Sequence, residues 1–132
     1  MGRSSRPVAA RRLLSLVPML ENVLIVDDDS STRAGLKIVL ETAGVTVSTV
    51  SDLDGAWDAL SKDRFDLVLA DLSLSGAAGR EGLALVARAR EGRLKTPIVV
   101  FTAHGSETVR AEALACGAND LWSKSLPIEE LI

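Results

Sequence analysis

Cysteine is nearly absent from this chain of 132 residues. Cys116, the single one, can close no internal disulfide and no zinc cluster, which excludes the disulfide-stapled secreted class and makes a reducing compartment the default. Histidine is equally scarce. With His104 alone there is no two-histidine metal pattern, and a Ser-His-Asp hydrolase triad is disfavoured. No stretch approaches the roughly 18 consecutive apolar residues that a membrane helix needs. A basic stripe is also missing. Arg3, Arg6, Arg11 and Arg12 fall before residue 21, where there is no acid, and removing them from the 15 basic groups leaves 11 against 18 acids, a net of −7 beside the overall −3. Such an acidic body argues against a nucleic-acid surface, which needs clustered Lys and Arg, so no direct nucleic-acid binding is expected of it.

The composition is otherwise that of a folded domain. Hydrophobic residues make up 47% and charged residues 25%, enough to bury a core, and the length allows one domain with a short appendage. Residues 1–21 form that appendage, expected to be poorly ordered. Its Arg11-Arg12 pair and the run Leu13 to Leu20 faintly resemble a signal peptide, but the run is short, contains Pro18 and reaches no small-residue cleavage site. A soluble, cytoplasmic protein is expected.

From Val23 onward, short β-branched runs alternate with amphipathic stretches. Val23 to Val26 is a continuous apolar run, suited to a strand buried on both faces, and ends in Asp27-Asp28-Asp29. Ser30 or Ser31 is placed to cap a helix carrying Leu36, Val39, Leu40 and Ala43 on one face, with Gly44 as its stop. Val45 to Val50 reads as a second strand. Ser51 and Asp54 have capping-box spacing ahead of Leu53, Ala56, Trp57 and Leu60. A third strand, Phe65 to Ala70, stops at Asp71, and a Ser, Gly and Ala-rich loop leads to a helix around Leu83, Val86 and Ala87 that ends near Gly92. Ile98 to Phe101 forms a fourth strand, Glu107 to Cys116 a helix closed by Gly117, and Asn119 to Ser123 a fifth strand before Lys124. Alternation of this kind calls for a parallel sheet covered on both faces. The expected fold class is α/β: a flavodoxin-like, doubly wound five-stranded parallel sheet of order 2-1-3-4-5 in three α/β/α layers. Only Ile128 to Ile132 follow Pro127, so the last helix is expected to be truncated.

The polar residues fall where such a sheet gathers them. Asp27 and Asp28 follow strand one, Asp71 strand three, Thr102 strand four and Lys124 strand five, and all five lie at carboxyl ends, which share one edge in a parallel sheet. Any one of them is explained by helix capping, strand propensity or solvation. Their concurrence on four strands is not. Three converging carboxylates repel, and a divalent cation relieves this; all-oxygen donors suit Mg²⁺ or Mn²⁺. One Asp is then left to act as a nucleophile toward phosphorus, with Lys124 supplying positive charge and Thr102 a hydroxyl donor.

Val23 to Asp28, the segment Asp66 to Asp71, the pair Thr102-Ala103 and the stretch Gly117 to Lys124 together resemble the receiver domain of two-component response regulators, over residues 22–132. The resemblance implies Asp71 as phosphoacceptor, Asp28 as a direct Mg²⁺ ligand and Asp27 as an acidic-pocket residue acting through water. It further implies that the Ser73 backbone carbonyl completes the metal site, that Thr102 is the switch hydroxyl and that Lys124 contacts the phosphoryl group. The implied donor is a phosphohistidine on a sensor histidine kinase or phosphotransfer protein, and the output domain or target is unspecified.

Ser125 stands where the family usually has proline, and Leu121 occupies the aromatic switch position beside Trp122. His104 reads as a solvated loop residue. Trp122 is expected near a gap left by the short last helix, an exposed apolar patch that would favour self-association. Two alternatives remain open. A haloacid-dehalogenase-type Mg²⁺-dependent phosphatase would use Asp27 as nucleophile but leave Asp71 idle, and a receiver-like interaction module that takes no phosphate would have no need of Asp71 or Lys124.

Overall fold

The computed structural model describes residues 17–74, 79–103 and 105–123. Within them lie five strands and four helices: β1 (Asn22–Val26), α1 (Ser30–Thr42), β2 (Thr46–Val50), α2 (Leu53–Lys62), β3 (Leu67–Asp71), α3 (Glu81–Glu91), β4 (Ile98–Thr102), α4 (Glu107–Cys116) and β5 (Asp120–Ser123). All strand pairs are parallel and the order is β2-β1-β3-β4-β5, the expected doubly wound arrangement. The expected last helix and residues 1–16 lie outside the described residues. Val17–Met19 form a single 3₁₀ turn, and Leu20 behind it is buried.

Strand periodicity sorts the core into two halves. Leu24, Val26, Val68, Ala70, Ile98, Val100 and Leu121 face the side covered by α2, α3 and α4. Their alternates Val23, Ile25, Leu67, Leu69, Val99, Phe101 and Trp122 face the side of α1, where Leu36 and Leu40 meet them. Each fully buried aliphatic side chain is worth about 1.5 to 3 kcal/mol, so a one-residue slip of any central strand would forfeit several such terms. Trp122 is 1% exposed, which corrects the expected apolar gap: among the described residues the exposed large hydrophobics are Met19, Ile38 and Leu114.

The caps differ by one residue from those expected. Asp29, in extended conformation, caps α1 in place of Ser30 or Ser31; it accepts a bond from the Ser31 amide and one from the Thr32 hydroxyl. A carboxylate outcompetes a hydroxyl here because it also faces the positive end of the helix dipole. Asp52 caps α2, accepting from the Gly55 amide at 2.7 Å, so the Ser51–Asp54 capping box does not form. Glycine at the third helical position has no side chain with which to return the bond. Gly117, at φ 110°, closes α4 in the left-handed conformation as expected.

Arg90 ties the far ends of α3, α4 and the sheet together. Its guanidinium donates to the carbonyls of Gly117, Leu94 and Thr96 and to the Asn119 side-chain oxygen, which also accepts from the Ile98 amide. Burial lowers its pKa from the ordinary arginine value.

Candidate functional site

The carboxyl edge of the sheet is built by strands that stop level with one another. Asp27 extends β1 by one ladder bond, its amide donating to the Val50 carbonyl at 3.1 Å, and its side chain is 1% exposed. One Asp27 carboxylate oxygen accepts from the Asp29 amide at 2.9 Å, and its backbone carbonyl accepts from Arg33 at 2.6 Å, which fixes the turn into α1. Asp28 is exposed beside it. Asp71 is the last residue of β3, in register with Phe101, and is buried. Thr102, also buried, ends β4 in register with Ser123 of β5.

Carboxylate oxygens of Asp27, Asp28 and Asp71 all lie within 4.8 Å of one another. At that spacing each like-charged pair repels by about 1 kcal/mol in a water-like dielectric and about 3 kcal/mol at an effective dielectric of 20. The arrangement therefore favours a bound cation. The donors are hard oxygens with no nitrogen or sulfur among them, which fits Mg²⁺ or Mn²⁺ and not zinc. Ser73, two residues past Asp71 and half-buried, begins the loop that would bring its carbonyl to the same edge. Lys124 follows Ser123 directly and, like His104 and Ser125, lies outside the described residues.

Two residues that hold Asp71 and the segment after it in place escaped the sequence reading. Gly82, at the second position of α3, donates its amide to the Leu72 carbonyl at 2.8 Å, and a Cβ there would sit 2.3 Å from the Asp71 carbonyl oxygen. Only glycine permits that approach. Glu81 before it accepts from the Leu74 amide at 3.1 Å, so the start of α3 clamps the segment after Asp71 from both sides. The available signal was the glycine itself, which costs about 1 kcal/mol in a helix and so implies a packing reason.

Leu121 is buried on the α4 side of β5. A Cβ on Gly105 would lie 3.1 Å from the Leu121 side chain and 3.3 Å from the Thr102 methyl. Gly105 is therefore packed between Thr102 and Leu121, and Arg110 holds the Leu121 carbonyl at 3.2 Å while pairing with buried Asp120 at 2.8 Å.

With this geometry in hand, comparison with known proteins is decisive: residues 23–132 match the family described as the response regulator receiver domain. The chain belongs to that family. The receiver is 34% identical over 110 residues to the transcriptional regulatory protein PhoP of Escherichia coli O157:H7, covering 83% of this chain and 48% of that protein. The chain thus spans about half the length of this curated relative. Among solved structures it resembles the chemotaxis response regulator CheY4 of Vibrio cholerae, with a TM-score of 0.74, 30% identity and coverage of 85% of this chain and 92% of that one. A response regulator protein from Burkholderia pseudomallei, solved with a phosphorylated aspartic acid and a calcium ion, gives a TM-score of 0.73 at 25% identity over 84% of this chain and 64% of that one. These relationships favour neither the phosphatase nor the interaction-only alternative. A receiver is a signalling domain and not a classical enzyme. Among the described residues no helix is long and apolar enough to cross a membrane.

Proposed function

We propose that this receiver takes a phosphoryl group onto Asp71 from a phosphohistidine of a sensor histidine kinase or phosphotransfer protein. The observation that carries the reading is the meeting of three carboxylates within 4.8 Å beside the buried end of β4 at Thr102. An Asp71 oxygen attacks phosphorus, the phosphorus–nitrogen bond breaks and the imidazole leaves with that electron pair, giving an aspartyl phosphate. Asp27, Asp28, Asp71 and the Ser73 carbonyl would hold Mg²⁺, or Mn²⁺, which neutralises charge on the transferring group. Lys124 supplies a further positive charge, and the Thr102 hydroxyl donates to a phosphoryl oxygen. The same pocket later admits water for hydrolysis, so the domain resets itself. The new charge at Asp71 draws Thr102 and the following loop toward it and alters the α4–β5 surface read by an output domain or partner. A cytoplasmic setting suits a phosphohistidine donor.

Incubation with a small phosphodonor and Mg²⁺, followed by intact mass measurement, tests this. One phosphoryl adduct is expected on the unaltered protein, none on Asp71→Asn, and an adduct demanding higher Mg²⁺ on Asp28→Asn. An undiminished adduct in Asp71→Asn would overturn the assignment, and continuous turnover of the donor abolished by Asp27→Asn would favour the phosphatase.

A further inference from the structure

The described cations divide into two groups. Arg33 is bonded to the Asp27 carbonyl, Lys37 pairs with Glu41, Lys62 with Asp58, Arg80 with Glu112 and Arg110 with Asp120, while Arg90 donates four hydrogen bonds. Those whose side chains make no ion pair or hydrogen bond among the described residues are Arg64, Arg88, Arg93 and Lys95, Arg88 resting on the Trp57 ring. All four line two adjoining depressions of about 450 and 280 Å³ that share Leu60 and Leu94. The depressions lie between the ends of α2 and α3 and the starts of β3 and β4, at the sheet edge opposite Asp71. Of the acids there, Asp66 already accepts the amides of Glu21 and Asn22, and Asp63 is exposed.

The floor of this groove is apolar and aromatic. Trp57 is half-buried with the Arg88 guanidinium 4.6 Å above its ring, and Leu60 and Leu94 continue the surface toward buried Phe65. Arg93 adds a second observation. It adopts φ 64°, the one non-glycine residue with positive φ among those described. A left-handed conformation is unfavourable for a residue with a Cβ, and glycine is the usual choice directly after a helix. Retaining arginine there places a cation at the groove mouth at the expense of backbone strain, and such outliers concentrate at functional positions.

We propose that the groove between α2 and α3 is a docking surface for an acidic peptide segment of a partner protein that carries an apolar anchor. The anchor lies on Leu60 and Leu94, which the two depressions share, beside the Arg88-covered Trp57 ring. Its flanking carboxylates meet the four cations that have no ion pair among the described residues, a complementarity that stands out on a body whose net charge is −7. The surface is separate from the phosphoacceptor edge and from the α4–β5 face, so a receiver can be held by one partner while its acceptor is served by another.

Titration with a synthetic peptide of glutamates flanking a Leu-Phe pair, read by Trp57 emission, tests the proposal; Trp122, buried on the other sheet face, contributes a constant background. Saturable binding is expected, weakened about tenfold or more by Arg64→Glu with Lys95→Glu and weakened by added salt. The Arg93→Gly variant should bind more weakly although it melts at a higher temperature, a split that a purely structural arginine would not produce. Phosphoryl uptake at Asp71 should be unchanged in both variants. Equal binding of the lysine counterpart peptide would overturn the proposal. So would displacement by low millimolar sulfate, which would mark a small-anion site only, or a dimer in light scattering that the same charge reversals dissolve, which would mark a second copy as the occupant.

Discussion

The two edges of the sheet carry opposite chemistry. At the carboxyl edge Asp27, Asp28 and Asp71 are brought within 4.8 Å of one another, a repulsion of the kind that a bound divalent cation relieves. At the amino edge Arg64, Arg88, Arg93 and Lys95 surround an apolar groove, spaced along helix ends and loops and open to solvent. Strand ends deliver side chains at fixed register and suit a reaction centre that demands short distances. Helix ends and loops deliver them loosely and suit recognition of an extended partner. Cations near helix C-termini also gain a few tenths of a kcal/mol up to about 1 kcal/mol from the dipole, which favours positive charge at the ends of α2 and α3.

The largest expected effect on this contrast comes from Gly82→Ala. A methyl 2.3 Å from the Asp71 carbonyl oxygen cannot be absorbed by a flexible side chain, because its neighbours are backbone. A loss of about 3 kcal/mol in urea denaturation is expected, with slower phosphoryl uptake as the acceptor strand is pushed aside. An unchanged midpoint would mean that α3 is free to shift and that the precision attributed to the carboxyl edge is overstated.

Next in size is Arg90→Ala, which removes the donor shared by Gly117, Leu94, Thr96 and Asn119 at the amino edge. About 2 kcal/mol should be lost, since half-buried carbonyls are left without their partner, while phosphoryl uptake by folded protein stays normal. Loss of uptake without loss of stability would show that the two edges are coupled through β4 and β5.

A smaller effect is expected when the acceptor edge is loaded with beryllofluoride. Leu121 is already buried and has no ring to turn inward, so changes in amide exchange should concentrate in residues 103–107. Strong changes through Leu121 and Trp122 would show that the switch works without an aromatic residue. The smallest expected effect is a gain: Arg93→Gly relieves the left-handed conformation and should stabilise the fold by about 1 kcal/mol in thermal unfolding. No gain would mean that the arginine side chain contributes native contacts equal to its strain.

Much of the carboxyl edge was legible before any coordinates. Acidic residues placed immediately after β-branched runs share one edge if the runs are parallel strands, and the helical periodicities between the runs call for parallel crossovers. The Glu107–Cys116 helix and the Gly117 stop followed from the same local patterns. Caps were misjudged by one residue, since neighbouring Ser and Asp all accept helix amides and only the backbone path selects among them. Trp122 was misplaced for a related reason. Strand alternation says that Leu121 and Trp122 face opposite sides, but not how thoroughly each side is covered.

The sequence by itself determined the succession of strands and helices and the placement of the carboxylates at strand ends, because these depend on periodicity and on residues at element ends; it only allowed the order 2-1-3-4-5, which the packed sheet selects among doubly wound arrangements. Tertiary structure alone decided that Gly82 touches the Asp71 backbone, that Gly105 is packed between Thr102 and Leu121, and that Arg64, Arg88, Arg93 and Lys95 share one groove with Trp57. Those contacts join segments distant in the chain through packing of helix ends on the sheet. No local pattern encodes them, since the distances arise only when the layers close on a common core.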